Sequence, residues 1–551
     1  MNPSQAHGSA VTRFWPALLL FIFVPALRSQ PANSAAEGRA TRALEVAKSY
    51  GEPGVYAFLR NMPKGGDLHM HLSGAIYAET FLKDAAADQL CVNLRTLSFE
   101  KNTGATAPAA CASGDVPATG VFANQKLNDG LIDSFSMRSF VPSAGVSGHD
   151  QFFATFDRFG GTNKSHTGEW LDEVATRAAA QNEQYLEVMM TPSFFDLAPL
   201  WNKLGWPATP AGTVIDPKGD ATGTSRAELE SLRTRLLEGG LRNEIAINIK
   251  EFDGASAARK SIEHCGQPNA SAACSVRIGY IYQVLRAFSP QQVFAQTLLA
   301  FEVASADPNV VGLNFVQPED AYMAMTEYNR QMQMLDYLHS VYPKVHISLH
   351  AGELAAGLVP PDGVTFHIHD AVELGHAERI GHGVDLMHEL EPRALLGGLA
   401  ERHVMVEINL TSNDVILGVK GKDHPLRAYM AAHVPVALST DDEGVSRIDI
   451  THEFARAVEE QGLSYSDLKR MARTSLEHSF LTGESLWQTP DRFVRAKSPC
   501  AGQMLGSAAP TGACKALLQS SEKAAQQWEL ERRFTAFESG AQPPVPVSAR
   551  P

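Results

Sequence analysis

Four short stretches of this chain hold residues able to do chemistry together. The first, Gly66-Asp67-Leu68-His69-Met70-His71-Leu72-Ser73-Gly74, reads as a short strand ending in a glycine turn. Side chains alternate faces along a strand, so His69 and His71 point the same way, and two imidazoles on one face can bind one metal ion. Taken alone, the pair is equally two strand histidines with ordinary hydrogen bonds. The other stretches are His350-Ala351-Gly352-Glu353, Gly381-His382-Gly383 and Ser439-Thr440-Asp441-Asp442, each following an apolar, strand-like run. Singly, each has a plain explanation: an exposed strand-end histidine, a solvated loop glutamate, an aspartate pair capping the next helix. Jointly, His69, His71, His350 and Asp441 supply three imidazoles and a carboxylate, a donor set for one catalytic zinc per chain that keeps a position open for water. Glu353 and His382 are left over as groups for handling protons.

The elements that must carry these clusters follow from the hydrophobic pattern. Strand-like runs recur at 185–190, 244–250, 310–316, 344–350, 378–381, 404–410 and 434–439, which with the first strand makes eight. Helix-sized segments fill most gaps, at 225–238, 290–303, 319–342 and 425–432. Alternating strands and helices argue for a parallel sheet, and eight such units for a (β/α)8 TIM barrel, an α/β fold. Barrel active sites lie at the C-terminal strand ends, where all four clusters fall. An open doubly wound sheet would call for a Gly-x-Gly-x-x-Gly turn after the first strand, and none is there.

The chain has 551 residues and a net charge of −14, from 47 basic and 61 acidic residues. A nucleic-acid polymer or an anionic membrane surface would need a basic face, so neither is an expected partner. Arg13 precedes an apolar run at 14–27 that is short for a membrane span and broken by Pro16 and Pro25. Residues 1–30 are therefore expected to be a cleaved signal peptide, giving a secreted or periplasmic protein with no stable membrane anchor. Six cysteines fall in three local pairs, Cys91 with Cys111, Cys265 with Cys274 and Cys500 with Cys514. In an exported chain such pairs are expected disulfides; in a cytosolic one all six could be free thiols. A helical segment is expected at 40–62, broken near Gly51, Pro53 and Gly54. The barrel follows at 63–490, with a loop-rich insertion at about 84–148 and a surface loop at 206–223. Residues 491–551 read as a helical extension ending in a Pro-rich tail at 542–551.

As a set, Met62-Pro63-Lys64-Gly65 before His69-x-His71, then His350-Ala-Gly-Glu353, Arg379-Ile-Gly-His382-Gly, Ser412-Asn413 and Ser439-Thr-Asp441-Asp442 resemble the adenosine deaminase family, over residues 55–485 or so. The exported N-terminus, the Met-Pro-Lys-Gly opening and the insertion resemble its extracellular branch, the adenosine deaminase-related growth factors. The resemblance implies a zinc TIM barrel converting adenosine or 2′-deoxyadenosine to the 6-oxo nucleoside and ammonia. It implies zinc on His69, His71, His350 and Asp441, Glu353 protonating the purine N1, His382 positioning and deprotonating the water, and Asp442 hydrogen-bonding the substrate. The expected partner is a purine nucleoside, and a homodimer is left open.

Two departures from the family pattern fall on the recognition side. Ser73 stands where the family has an acid that meets the ribose 5′ hydroxyl, and Gln317 where it has a glycine touching the purine N3; Asn314 also replaces a usual aspartate. The same chemistry on another 6-aminopurine, such as adenine, a 6-substituted purine or a nucleotide, is therefore the alternative. Phe152, Phe153 and Phe156 match the family's apolar wall over the pocket, or are simply helix core. A growth-factor-like binding protein using the barrel as a scaffold is the alternative from another class; it predicts damaged ligands, and all four are present.

Overall fold

A computed structural model of the chain describes residues 32–101, 111–162, 164–206 and 224–540. The expected leader, most of the 206–223 loop and the 542–551 tail lie outside the described residues. The barrel strands are β1 (Gly65–His71), β5 (Glu183–Met190), β6 (Arg277–Leu285), β7 (Val310–Val316), β8 (His346–Ala351), β9 (Arg379–His382), β10 (Met405–Ile408) and β11 (Val436–Leu438). They pair in parallel in that order. Beyond the end of β11, the backbone of Asp441 closes the circle onto β1: its N–H donates to the His69 carbonyl at 2.8 Å, and the His71 N–H donates to the Asp441 carbonyl at 3.0 Å. The ring is thus shut at the residues expected to do the chemistry.

Seven of the eight expected runs contribute barrel strands. The exception is 244–250, which lies inside the helix Arg242–Ile262. Ile245, Ile247 and Ile249 alternate with polar or small neighbours and so imitate a strand period. The face that is buried, however, is Glu244, Asn248, Phe252, Ala255 and Arg259, at helical spacing, and Ile247 is exposed. The missing strand is β6, whose Ile278, Tyr280, Ile281, Tyr282 and Val284 are β-branched or aromatic and all buried.

The insertion is more regular than its composition implies. It forms a three-stranded antiparallel sheet from β2 (Cys91–Asn93), β3 (Ser98–Glu100) and β4 (Asp115–Pro117), followed by the helix Gln125–Ser134. Disulfides join Cys91 to Cys111, Cys265 to Cys274 and Cys500 to Cys514. The N-terminal segment is two helices, Ala32–Lys48 and Gly51–Leu59. At the other end, Gly512–Ser520 and Glu522–Gly540 enclose a small core of Leu486, Trp487 and Trp528 with the Cys500–Cys514 pair.

The interior of the barrel is charged at one level. Arg379 on β9 is fully buried; its Nε donates to Glu407 Oε1 on β10 at 2.6 Å, and its Nη2 pairs with Glu187 Oε2 on β5 at 2.6 Å. Its guanidinium lies 3.8 Å from the centre of the Phe480 ring. Burial alone would raise the Glu407 carboxyl, but Arg379 and a bond from His69 bring it down to about 2. Removing one partner of a buried ion pair strands the others in low dielectric. Arg379→Met is expected to cost about 3–5 kcal/mol, read as a lowered urea midpoint at unchanged slope; an unchanged midpoint would show that the two carboxylates do not depend on the arginine.

Candidate active site

At the rim where the strands end, ligand-type atoms of His69, His71, His350 and Asp441 lie within 4.8 Å of one another, and all four residues are buried. The His350 Nε2 stands 3.1 Å from both His69 Nε2 and His71 Nε2. Asp441 Oδ1 is 3.5 Å from His69 Nε2 and 3.3 Å from His71 Nε2.

Each ring is turned this way by an acceptor on its other nitrogen. His69 Nδ1 faces Glu407 Oε2 at 2.6 Å, His350 Nδ1 faces Asn314 Oδ1 at 2.7 Å, and His71 Nδ1 faces Gln283 Oε1. Ser412 Oγ donates to Asp441 Oδ2 at 2.6 Å, leaving Oδ1 for the centre. Burial, with His69 and His71 beside it, holds the His350 imidazole well below its ordinary range, so this ring is neutral. Its one hydrogen lies on Nδ1 towards Asn314, so Nε2 offers a lone pair to two neighbouring Nε2 atoms at once. One lone pair cannot satisfy both by hydrogen bonding. A divalent cation at the centre accounts for the whole arrangement, and the donor set, with acceptors bonded behind it, is that of a catalytic metal site.

The second group facing this centre is Glu353 with His382. His382 Nε2 is 3.7 Å from Glu353 Oε1, is fully buried and has no hydrogen-bond partner among the described residues. Burial, together with the charges of Asp441 and Glu319, holds the Glu353 carboxyl well above the ordinary carboxylate range. The backbone here is strained: His382, Asp441 and Gln317 have φ of 70°, 61° and 86°, in a region that favours glycine. Two glycines allow close approach. A Cβ on Gly381 would lie 2.5 Å from His69 Cε1, and one on Gly74 would lie 1.5 Å from Asp442 Oδ1.

A cavity of about 460 Å³ opens over the centre. His71, His350, Asp441, Asp442 and Glu353 line it, with Ser73 and Gln317, and Phe152, Phe153 and Phe156 from the helix Gly148–Phe159 form its apolar wall. The metal-ligand and proton-handling residues and the recognition positions that the sequence singled out are therefore at the centre or in this cavity, with His382 grouped with Glu353 and Asp441 at the centre. Gln317 is present in an unexpected way. Its side-chain Oε1 is turned back to accept from the Ala287 N–H at 2.9 Å. A larger cavity, about 890 Å³, opens at the opposite end of the barrel beside Val310, His346 and Val404. No converging ligand set was found there among the described residues, and barrel chemistry sits at the C-terminal strand ends.

The sequence reading missed the residues that hold the site from behind. Glu407 and Gln283 are polar positions within otherwise apolar barrel strands, which is the signal that could have marked them. Arg286 and Glu319, both buried, clamp the rim loops. Arg286 donates to the carbonyls of Gln317 and His350, while Glu319 accepts the N–H groups of Gly352 at 3.1 Å and Glu353 at 2.7 Å. Groups that orient metal-ligating histidines are typically worth about 10- to 100-fold in metal affinity. Asn314→Ala, which removes the acceptor behind His350, is expected to weaken divalent-metal binding by about that factor in chelator competition, and Asn314→Asp to retain it; equal affinity in all three forms would show that Asn314 does not orient the ring.

Residues 257–490 match the family model described as adenosine deaminase. Adenosine deaminase of Escherichia coli (strain SE11) is 40% identical over 140 residues, which is 25% of this chain and 39% of that protein. The chain thus spans about two fifths of the length of the curated relatives it matches. Among solved structures, an amidohydrolase from Burkholderia ambifaria with bound Zn is similar in fold, with a TM-score of 0.51 and 16% identity over 88% of this chain and 94% of that one. An adenine deaminase from Arthrobacter aurescens is a looser likeness, with a TM-score of 0.47 and 16% identity over 76% and 94%. The matched segment carries Glu353, His382, Asp442 and two of the four converging ligands, and the barrel's first strand supplies the other two; over that segment the chain is similar to the adenosine deaminase family.

Proposed function

We propose that the protein is a zinc-dependent hydrolase that deaminates adenosine and 2′-deoxyadenosine to inosine and 2′-deoxyinosine. The observation that carries this reading is the convergence of three Nε2 atoms and one carboxylate oxygen, with the buried Glu353 carboxyl, its pKa raised by that burial, facing them. One zinc per chain bound there would bring the pKa of its water to about 7. The chain's own residues do the rest. A carboxyl kept protonated by burial, Glu353 can hand a proton to the purine N1 as negative charge develops on the ring. His382 Nε2 faces the same space and can hold the attacking oxygen. Asp442, held against Gly74 with no hydrogen-bond partner on Oδ1 among the described residues, lines the cavity where a ring nitrogen would lie. The phenylalanine wall covers an aromatic base and keeps out water. The disulfides support a site of action outside the cytoplasm, secreted or periplasmic.

The lining also bears on nucleoside against nucleotide. Asp157, Glu353, Asp441 and Asp442 line the cavity, and among the described residues no lysine or arginine does. Lys164 and Lys250 line a neighbouring cavity beyond Ser73, Thr191 and Gln283, and Lys164 is already paired with Glu251 at 3.4 Å. A 5′-phosphate thus meets carboxylates without a counter-charge, which favours the uncharged nucleoside. In a panel of adenosine, deoxyadenosine, adenine and adenosine 5′-monophosphate, kcat/KM for adenosine is expected to exceed that for the nucleotide by roughly 100-fold or more, the effect of a few kcal/mol of like-charge repulsion. Preferential turnover of the nucleotide would reverse the substrate assignment and leave the chemistry standing.

Glu353→Gln is expected to lose roughly 10²–10⁴-fold in turnover, because an amide can hydrogen-bond N1 but cannot deliver a proton. Zinc content measured on the same variant should be unchanged. In the native enzyme, turnover should fall as pH rises through the raised Glu353 pKa, since the working form is the protonated one. A variant that keeps its zinc and more than about a tenth of its activity would remove Glu353 from the proton-donor role.

A further inference from the structure

His382 is held by a chain of hydrogen bonds whose direction can be read from its far end. The Leu426 backbone N–H, which can only donate, points to His424 Nδ1 at 3.1 Å. His424 is buried, and burial takes its imidazole down to about 4, so it is neutral. With Nδ1 accepting, its one hydrogen lies on Nε2, which is 3.0 Å from Asn413 Oδ1. That bond fixes which end of the Asn413 amide is oxygen, and the amide nitrogen then faces His382 Nδ1 at 2.9 Å. A second amide agrees. Asn409 Oδ1 accepts from Ser439 Oγ at 2.8 Å, and its Nδ2 also faces His382 Nδ1, at 3.4 Å. The nearer amide, Asn413, donates into the single Nδ1 lone pair, and that atom then carries no hydrogen. A ring with no hydrogen on Nδ1 carries one on Nε2, the atom that faces Glu353 and has no hydrogen-bond partner among the described residues.

We infer that His424, acting through Asn413, is a positioning residue that sets the tautomer of His382 and makes it a hydrogen-bond donor to the attacking oxygen. In the resting enzyme His382 Nε2 has no lone pair for a proton. It therefore orients the oxygen by donating to it, which leaves the oxygen's own lone pair free to point at the substrate carbon, and it does not act there as the base that the family resemblance implies. The relay is absent from the sequence pattern because His424 lies in the loop before the helix Leu426–Ala431, away from every rim cluster. Its function rests on the deaminase reading, but its geometry does not.

The test separates the two. In protein labelled with 15N in its histidines, the His382 ring is expected to show an unprotonated Nδ1 and a protonated Nε2, with no substrate and no turnover needed. His424→Gln, whose amide can accept from Leu426 and donate to Asn413, should keep that pattern. Asn413→Asp can only accept, so it should draw the hydrogen to His382 Nδ1 and invert the tautomer. His424→Phe, which fills the site without either nitrogen, should leave a mixture. If the protein deaminates adenosine, Asn413→Asp and His424→Phe should lower kcat by about tenfold or more with KM nearly unchanged, and His424→Gln should recover most of it. A native His382 protonated at Nδ1, or an unaltered pattern in Asn413→Asp, would overturn the inference even if deamination is confirmed. Should one variant fail to fold, the native spectrum and the other variant still decide.

Discussion

The Glu407 carboxylate is the joint on which this active centre depends. One oxygen accepts from the Arg379 guanidinium at 2.6 Å and the other faces His69 Nδ1 at 2.6 Å, all within the closed interior of the barrel. A carboxylate in that environment would take up a proton if it stood alone. Arg379, itself balanced by Glu187, keeps it ionised, and an ionised Glu407 holds the hydrogen of His69 on Nδ1 and turns Nε2 towards the rim. The barrel's structural ion pair and the orientation of its first metal-facing ligand are therefore one arrangement. Asn314 and Gln283 do the same for His350 and His71 with neutral amide oxygens. Three rings are fixed from behind by three different strands, so the centre is organised before anything binds.

The rim adds a second kind of constraint. Barrel closure runs through Asp441, whose backbone bonds to His69 and His71 while its side chain faces their rings. Asp67 strengthens that seam: one oxygen accepts the His69 N–H at 3.0 Å and the other the Thr440 N–H at 3.0 Å. Positive φ at Gln317, His382 and Asp441 stores strain at the three places where a strand must turn a functional group inward. Arg286 and Glu319 hold the Gln317 loop and the His350–Glu353 segment by their backbone groups. This tolerates variation in side chains: Gln317 can occupy a glycine-like conformation because Arg286 forks onto its carbonyl at 3.2 and 3.1 Å and its own amide finds Ala287.

The recognition side is less constrained than the chemistry. Ser73 brings a small neutral hydroxyl where the family pattern has an acid, while Asp157, from the helix Gly148–Phe159, places a carboxylate in the same cavity wall. An acidic group thus enters this cavity wall from a helix, while the strand end beside it is neutral. The catalytic cluster cannot drift in this way, because its atoms must meet at one point within ångströms, whereas a substrate hydroxyl can be met from several directions.

By itself the sequence determined the class of fold and which clusters meet at the barrel rim. The four clusters can be read because a strand's two-residue period and the ends of apolar runs are local properties, and His69-x-His71 or His350-Ala-Gly-Glu353 carries its meaning in adjacent residues. The local cysteine pairing is legible for the same reason. Alternation at 244–250 misled because three isoleucines can mark a strand face or a helix edge, and only the neighbouring helices choose between them. What the tertiary structure alone decided is direction. That Glu407, Gln283 and Asn314 stand behind three particular rings, that Asp157 reaches the cavity, and that a backbone N–H at Leu426 sets a hydrogen on His382 through two side chains all depend on residues far apart in the chain. A hydrogen bond carries no trace in sequence spacing when its partners meet only after eight strands have closed a circle.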